Sequence, residues 1–147
     1  MENIITNKKA FFDYEILKKY QAGIVLTGPE VKSIKSGKIN LGGSFVVLKN
    51  NEVFLLNADV APYQPNNLRT SYEQKRSRKL LLRKGEIKEL IGMSRQKGLT
   101  MVPLRVYNQK GLIKIEFAVV RGKQKIDKRE KIKKREVQRE IQRTLKH

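Results

Sequence analysis

Residues 100–120, Thr-Met-Val-Pro-Leu-Arg-Val-Tyr-Asn-Gln-Lys-Gly-Leu-Ile-Lys-Ile-Glu-Phe-Ala-Val-Val, read as two strands, Thr100 to Tyr107 and Leu112 to Val120, around a turn at Asn108-Gln109-Lys110-Gly111. β-Branched and aromatic residues fill both arms, and a Gly-containing polar break joins them, which is the pattern of a β-hairpin. Upstream, Phe45 to Leu48 (FVVL) and Val53 to Leu56 (VFLL) flank Lys49-Asn50-Asn51-Glu52, a second hairpin signal of the same kind. Phe12, Tyr14 and Ile16 alternate with Asp13 and Glu15 as in a strand with one face buried, Lys18-Lys19 mark a turn, and Ala22 to Thr27 form a short apolar strand.

Two short helices punctuate these strands. Pro29 suits a first helical position, Glu30 a positive first turn and Gly37 a C′ site, giving barely two turns that bury Val31 and Ile34. Ile87, Leu90, Ile91 and Ser94 share one side of a helix reaching about Lys97 and stopped by Gly98, with Leu90 and Ile91 as core. Pro62, Pro65 and Asn66-Asn67 place an exposed loop between Ala61 and Ser71. Hairpin-linked strands with few helices predict a mainly β fold, a small closed antiparallel barrel of OB type, because closure removes exposed sheet edges. The expected organisation is a mobile N-terminus over 1–9, the barrel over 10–120 and a basic tail over 121–147.

Charge narrows the function. The chain of 147 residues carries 33 Lys/Arg against 14 Asp/Glu, a formal net charge of +19. The tail holds 12 Lys/Arg and 4 acids, leaving 21 and 10 in the first 120 residues, so both parts are basic. Nucleic acid is the commonest partner at that density, followed by anionic membrane. No apolar run is long enough to span a bilayer, and the N-terminus lacks the apolar core of a signal peptide. There is no cysteine, which fits a reducing cytoplasm, and the single His is residue 147, so His triads and His-built metal sites are excluded. No Walker loop, dinucleotide fingerprint or metal cluster is present, and the chain is expected to be a non-enzyme without cofactor.

In the tail, Asp127-Lys128-Arg129-Glu130 reads as a capping box, and Val137, Ile141 and Leu145 recur every fourth residue. These few aliphatic residues cannot hold a helix against a core. The tail is therefore expected to be disordered when free and helical on a polyanion; the alternative is a solvated helical end that aids solubility. The run Lys75 to Lys84, with six cations in ten residues, is a candidate phosphate-binding edge through counterion release, or else a solvated basic loop. Alternation points Leu81 away from Leu80 and Leu82.

Ala22-Gly23-Ile24-Val25-Leu26-Thr27-Gly28, Glu30-Val31-Lys32-Ser33, Gly37-Lys38, Arg78-Lys79-Leu80-Leu81-Leu82, Gly98-Leu99-Thr100 and Gly122-Lys123 through Asp127-Lys128-Arg129-Glu130 together resemble the SsrA-binding proteins of bacteria, also called small protein B. The likeness keeps the same order from about Asn7 to the C-terminus. It implies an OB-like barrel that grips the tRNA-like part of transfer-messenger RNA (tmRNA). It also implies delivery of that RNA to ribosomes stalled without a stop codon, with the tail in the vacant mRNA path near the decoding centre. The resemblance favours Gln21 and Leu81 as RNA contacts, and the implied tail contacts are Gly122, Lys123, Ile126, Asp127, Lys128 and Arg129. Charge adds Lys75, Arg76, Arg78, Lys79 and Arg83 from the cation run, with Lys32 as a further cationic candidate and Asn7 and Lys8 as contacts at the barrel margin.

Four positions depart from the family pattern. Phe12 replaces a His, Gln21 a Glu, Arg83 an Asn or His found in some members, and Ile126 an aromatic or His. Gln21 keeps hydrogen bonding without charge, Arg83 adds a phosphate or stacking contact, and Ile126 packs on a base without ring stacking. Asn7 and Lys8 are alternatively a solvated terminus. Partners are thus tmRNA and the ribosome, without a membrane, for a chain monomeric when free. The rival reading is a structural ribosomal protein whose tail threads rRNA.

Overall fold

The computed structural model describes residues 2–63 and 72–122. The expected loop residues 64–71 and the tail beyond Gly122 lie outside the described residues. The described chain is mainly β: strands β1 (Glu2–Thr6), β2 (Tyr14–Ile24), β3 (Ile39–Asn40), β4 (Phe45–Lys49), β5 (Glu52–Leu56), β6 (Asp59–Val60), β7 (Arg78–Leu81), β8 (Leu99–Gln109) and β9 (Leu112–Gly122), with helices α1 (Lys8–Asp13), α2 (Gly28–Lys35) and α3 (Lys84–Ser94).

Seven strands pair in the order β1-β8-β4-β5-β7-β2-β9, all antiparallel, and β9 pairs in turn with β8, so that the pairings close into a ring with β1 attached outside it. The two hairpins expected from sequence hold the ring together. In the first, Asn50 and Asn51 both adopt positive φ (52° and 61°), a conformation these residues tolerate better than most and which matches strand twist. In the second the turn is tighter than expected, Lys110 (φ 51°) and Gly111 (φ 84°) alone, and the strands extend through Asn108 and Gln109.

Inside the ring lie Tyr20, Ala22, Val46, Val53, Leu55, Leu80, Val106, Ile115, Phe117 and Val119. Tyr20 and Phe117 stack with ring centroids 5.5 Å apart. Ile34 of α2 and Leu90 of α3 join the same core. α2 is capped by Thr27, whose hydroxyl accepts from Glu30 N while Glu30 Oε1 accepts from Thr27 N, a reciprocal box, and Gly37 follows the Ser36 cap at φ +80°. Pro29 sits one place inside the first helical position.

Several expectations are corrected. Glu2–Thr6, in which the sequence showed no element, forms a strand paired with β8, and Asn7 N donates to Leu104 O at 2.7 Å. Phe12 lies in α1 rather than a strand, because Asn7 starts a short helix whose Ala10 packs on Val102, Leu104, Ala118 and Val120. Lys18-Lys19 make no turn. β2 passes through them with one extra residue, Leu17, against β9, and this slip keeps the strand continuous. α3 ends at Ser94, short of Lys97, and Ile91 stays half-exposed beside the fully buried Leu90.

Candidate nucleic-acid interface

Two one-residue slips set which side chains face outward. In β2, Tyr14 and Ile16 pack on the outer cluster around Ala10, and after the slip at Leu17 it is Lys19, Gln21 and Gly23 that point away from the core holding Tyr20 and Ala22. In β8 the slip at Leu104 does the same, turning Arg105 and Tyr107 outward while Val106 enters the core. A single inserted residue reverses the face of everything beyond it.

The registers then assemble these residues into cross-strand rows. Leu81 opposes Gly23, which opposes Lys114, which opposes Tyr107. In the next row Gln21 opposes Glu116, which opposes Arg105. Beyond the first row, Val25 N donates to Lys79 O. Gly23 leaves this row without a side chain at its centre, with Leu81 just within contact of where a Cβ would be (3.5 Å). Leu81 is 54% exposed, the expected opposite of buried Leu80, and Val25 is exposed beside it. The face therefore combines apolar patches with cations, as a surface that stacks bases and holds phosphates requires.

The second row is knitted by hydrogen bonds. Gln21 Nε2 donates to Glu116 Oε2 at 2.6 Å, and Tyr107 Oη donates to Gln21 Oε1 at 2.5 Å. Arg105 Nε lies 3.4 Å from Glu116 Oε1, and its guanidinium sits 4.9 Å from the Tyr107 ring centre. Burial alone would raise the Glu116 pKa, but the hydrogen bonds from Gln21 and Arg105, with the Arg105 charge, hold it below the usual carboxylate range.

The remaining expected contacts fall in different places. Arg78 is the clear correction. It is fully buried, its Nε and Nη2 engage Glu30 Oε2 at 2.8 and 2.7 Å, and its other donors reach Ala58 O, Gln74 O and Arg76 O. A cation spent on a buried carboxylate and three carbonyls is structural and contacts no phosphate. Arg76 is half-committed, joining Glu30 with both Nε and Nη2 while staying 33% exposed at its side chain. Burial would raise the Glu30 pKa, but Arg76, the Thr27 amide and Arg78 together bring it down to about 2.

Lys75 is exposed ahead of β7, and Lys79 pairs loosely with Glu52 at 3.3 Å, both partners well exposed. Lys32 is exposed on α2, 5.8 Å from the Tyr63 ring centre. Arg83 caps α3 through its backbone N–H, which donates to Glu86 Oε1, and its residue is exposed. Asn7 is engaged within the fold, since its Nδ2 donates to Pro103 O at 2.9 Å and its Oδ1 caps Ala10 N. Lys8 is exposed at the start of α1. Lys123, Ile126, Asp127, Lys128 and Arg129 lie outside the described residues.

Reading the sequence missed Lys19, Arg105, Tyr107, Lys114 and Glu116. The alternation of Leu112, Lys114 and Glu116 against buried Ile113 and Ile115 was the available signal for β9. No sequence signal marks the slip that turns Arg105 and Tyr107 outward. Among the described residues no group of His, Cys, Asp and Glu could hold a metal ion, and no helix is long and apolar enough to cross a membrane.

Comparison with known proteins gives a consistent result. The family model described as SmpB protein matches residues 4–147. The SsrA-binding protein of Thermosipho africanus is 50% identical over 147 residues, covering 99% of this chain and 98% of the relative. That of Sulfurihydrogenibium sp. is also 50% identical, over 97% of this chain and 93% of the relative. A chain solved in a structure described as "tmRNA-SmpB: a journey to the center of the bacterial ribosome" superposes with a TM-score of 0.68 at 43% identity, covering 82% of this chain and 85% of the other. With the match running over almost the whole chain, this chain belongs to the SmpB protein family.

Proposed function

We propose that this chain is a non-enzymatic RNA-binding protein that binds tmRNA and delivers it to stalled ribosomes for trans-translation in the cytoplasm. The ring of strands acts as a small closed barrel of OB type and grips the RNA through its outer face. Leu81 and Val25 supply apolar contact, Gln21 hydrogen bonds, and Lys79, Lys75, Arg76, Lys32, Arg83 and Lys8 the cationic surround. Arg121 and Gly122 complete β9, and the tail beyond Gly122 is disordered when free and helical on the ribosome. There Gly122, Lys123, Ile126, Asp127, Lys128 and Arg129 occupy the vacant mRNA path near the decoding centre. The free protein is a monomer.

The observation that carries this reading is half-identity to SsrA-binding proteins across almost the whole chain, tail included. The outer face agrees with it physically. Phosphate attraction by exposed lysines gives affinity without sequence preference, and the exposed Leu81 side chain, lying against Gly23, gives nucleobases an apolar surface to pack on. Recovery of the tagged protein from its own cells, followed by sequencing of bound RNA, tests the reading. Dominance of tmRNA is the expected result; dominance of rRNA would instead support a permanent ribosomal component.

A further inference from the structure

The row Gln21–Glu116–Arg105 contains a carboxylate that no RNA phosphate would favour, yet it is held at the centre of the basic face. Glu116 is 7% exposed and Tyr107 2%, whereas Gln21 is exposed. Glu116 and Tyr107 share the outer face with Gln21 but are covered by their neighbours, and Gln21 alone of the three is exposed.

A glutamine amide has two N–H donors and two acceptor lone pairs, and a surface glutamine normally presents them in either of two flipped orientations. Here a flip is blocked. An ionised Glu116 can only accept, so it demands Nε2, and Tyr107 Oη, donating at 2.5 Å, demands Oε1. Reversal would set Oε1 against a carboxylate oxygen at 2.6 Å. Arg105, stacked on the Tyr107 ring and paired with both Glu116 oxygens, fixes the carboxylate in turn. One donor and one acceptor remain on an amide whose polarity is set from below.

Resting on the functional reading above, we propose that Glu116 and Tyr107 are positioning residues for RNA specificity: they lock the Gln21 amide so that its remaining donor and acceptor read one polar edge of an RNA nucleotide lying beside Gly23. Selectivity then resides in this locked amide, and bulk affinity in Lys79, Lys114 and Lys19.

The test compares dissociation constants for tmRNA and for unselected tRNA from the same cells, with a thermal melt for each variant. Glu116→Gln presents either an amide or a carbonyl, so Gln21 can flip. Tyr107→Phe removes the hydroxyl but keeps the ring beneath Arg105. Each stably folded variant should bind tmRNA about 2-fold more weakly or worse while binding tRNA as before, because two equally populated amide orientations halve the competent fraction and a freed side chain lowers it further. Either variant, folded and with the parental ratio of the two affinities, overturns the inference. A parental protein with no preference for tmRNA would instead overturn the functional reading on which it rests.

Discussion

Arg78 and Lys79 adjoin in a run of cations and have opposite fates. Strand alternation sends Lys79 to the outer face and Arg78 inward, where Glu30 waits. The sequence showed the density of charge but not this partner, because Glu30 stands 48 residues earlier and was fully accounted for as a helix-start acid. Leu81 was legible from the same alternation, since only a period of two is needed to separate it from Leu80 and Leu82. The Glu30 pairing has a pH signature. Its folded pKa of about 2 lies below the ordinary 4.5, so its contribution is present in full above about pH 5 and is lost as pH falls toward 2. That contribution is roughly 3 kcal/mol. Denaturant unfolding of the parental protein should therefore show stability falling steeply from pH 5 to 2. Glu30→Gln should be about 3–5 kcal/mol less stable at pH 7, with Arg78 left buried and unpaired, and should lose less on acidification. An unchanged pH slope would show that the ionic cluster contributes nothing to folding.

α2 and α3 were legible for different reasons. Pro29, Glu30 and Gly37 mark both ends of α2, although the Thr27 cap was read as strand, and the spacing of Ile87 and Leu90 marks the inner side of α3. α1 and β1 were not legible. α1 is one and a half turns of Lys-Lys-Ala-Phe-Phe-Asp with a single buried residue, Ala10, and β1 is a polar edge strand whose pairing with β8 spans about a hundred residues. The slips at Leu17 and Leu104 likewise arise from packing between distant strands. Leu90 offers the cleanest test of an element. It is 1% exposed and belongs to the core inside the ring, so Leu90→Ala should cost ~2–5 kcal/mol, read from a lowered denaturant midpoint. Any loss of RNA affinity should disappear at temperatures well below the melt. A parental midpoint would mean that α3 lies loosely on the ring.

For the molecule as a whole, we propose two parts with separate tasks. The formal charge of +19 runs along the whole sequence, 21 Lys/Arg against 10 acids in the first 120 residues and 12 against 4 in the rest, and the outer face around Gly23 and Gln21 is built by the described residues. If that face neutralises ~6 phosphates, tmRNA affinity should fall roughly 10³-fold between 50 and 200 mM salt. Combined replacement of Lys19, Lys79 and Lys114 by Gln should flatten the slope, whereas including Arg78 would confuse the result by unfolding the body. The central claim is that the body holds tmRNA while the tail licenses its use on an empty ribosome. It is tested most directly by tag addition in a translation reaction stalled on an mRNA without a stop codon, comparing the full chain with one ended after Gly122. The shortened protein should bind tmRNA nearly as well, apart from the lost electrostatic attraction, yet leave the stalled peptide untagged; full tagging by the shortened protein would contradict the account.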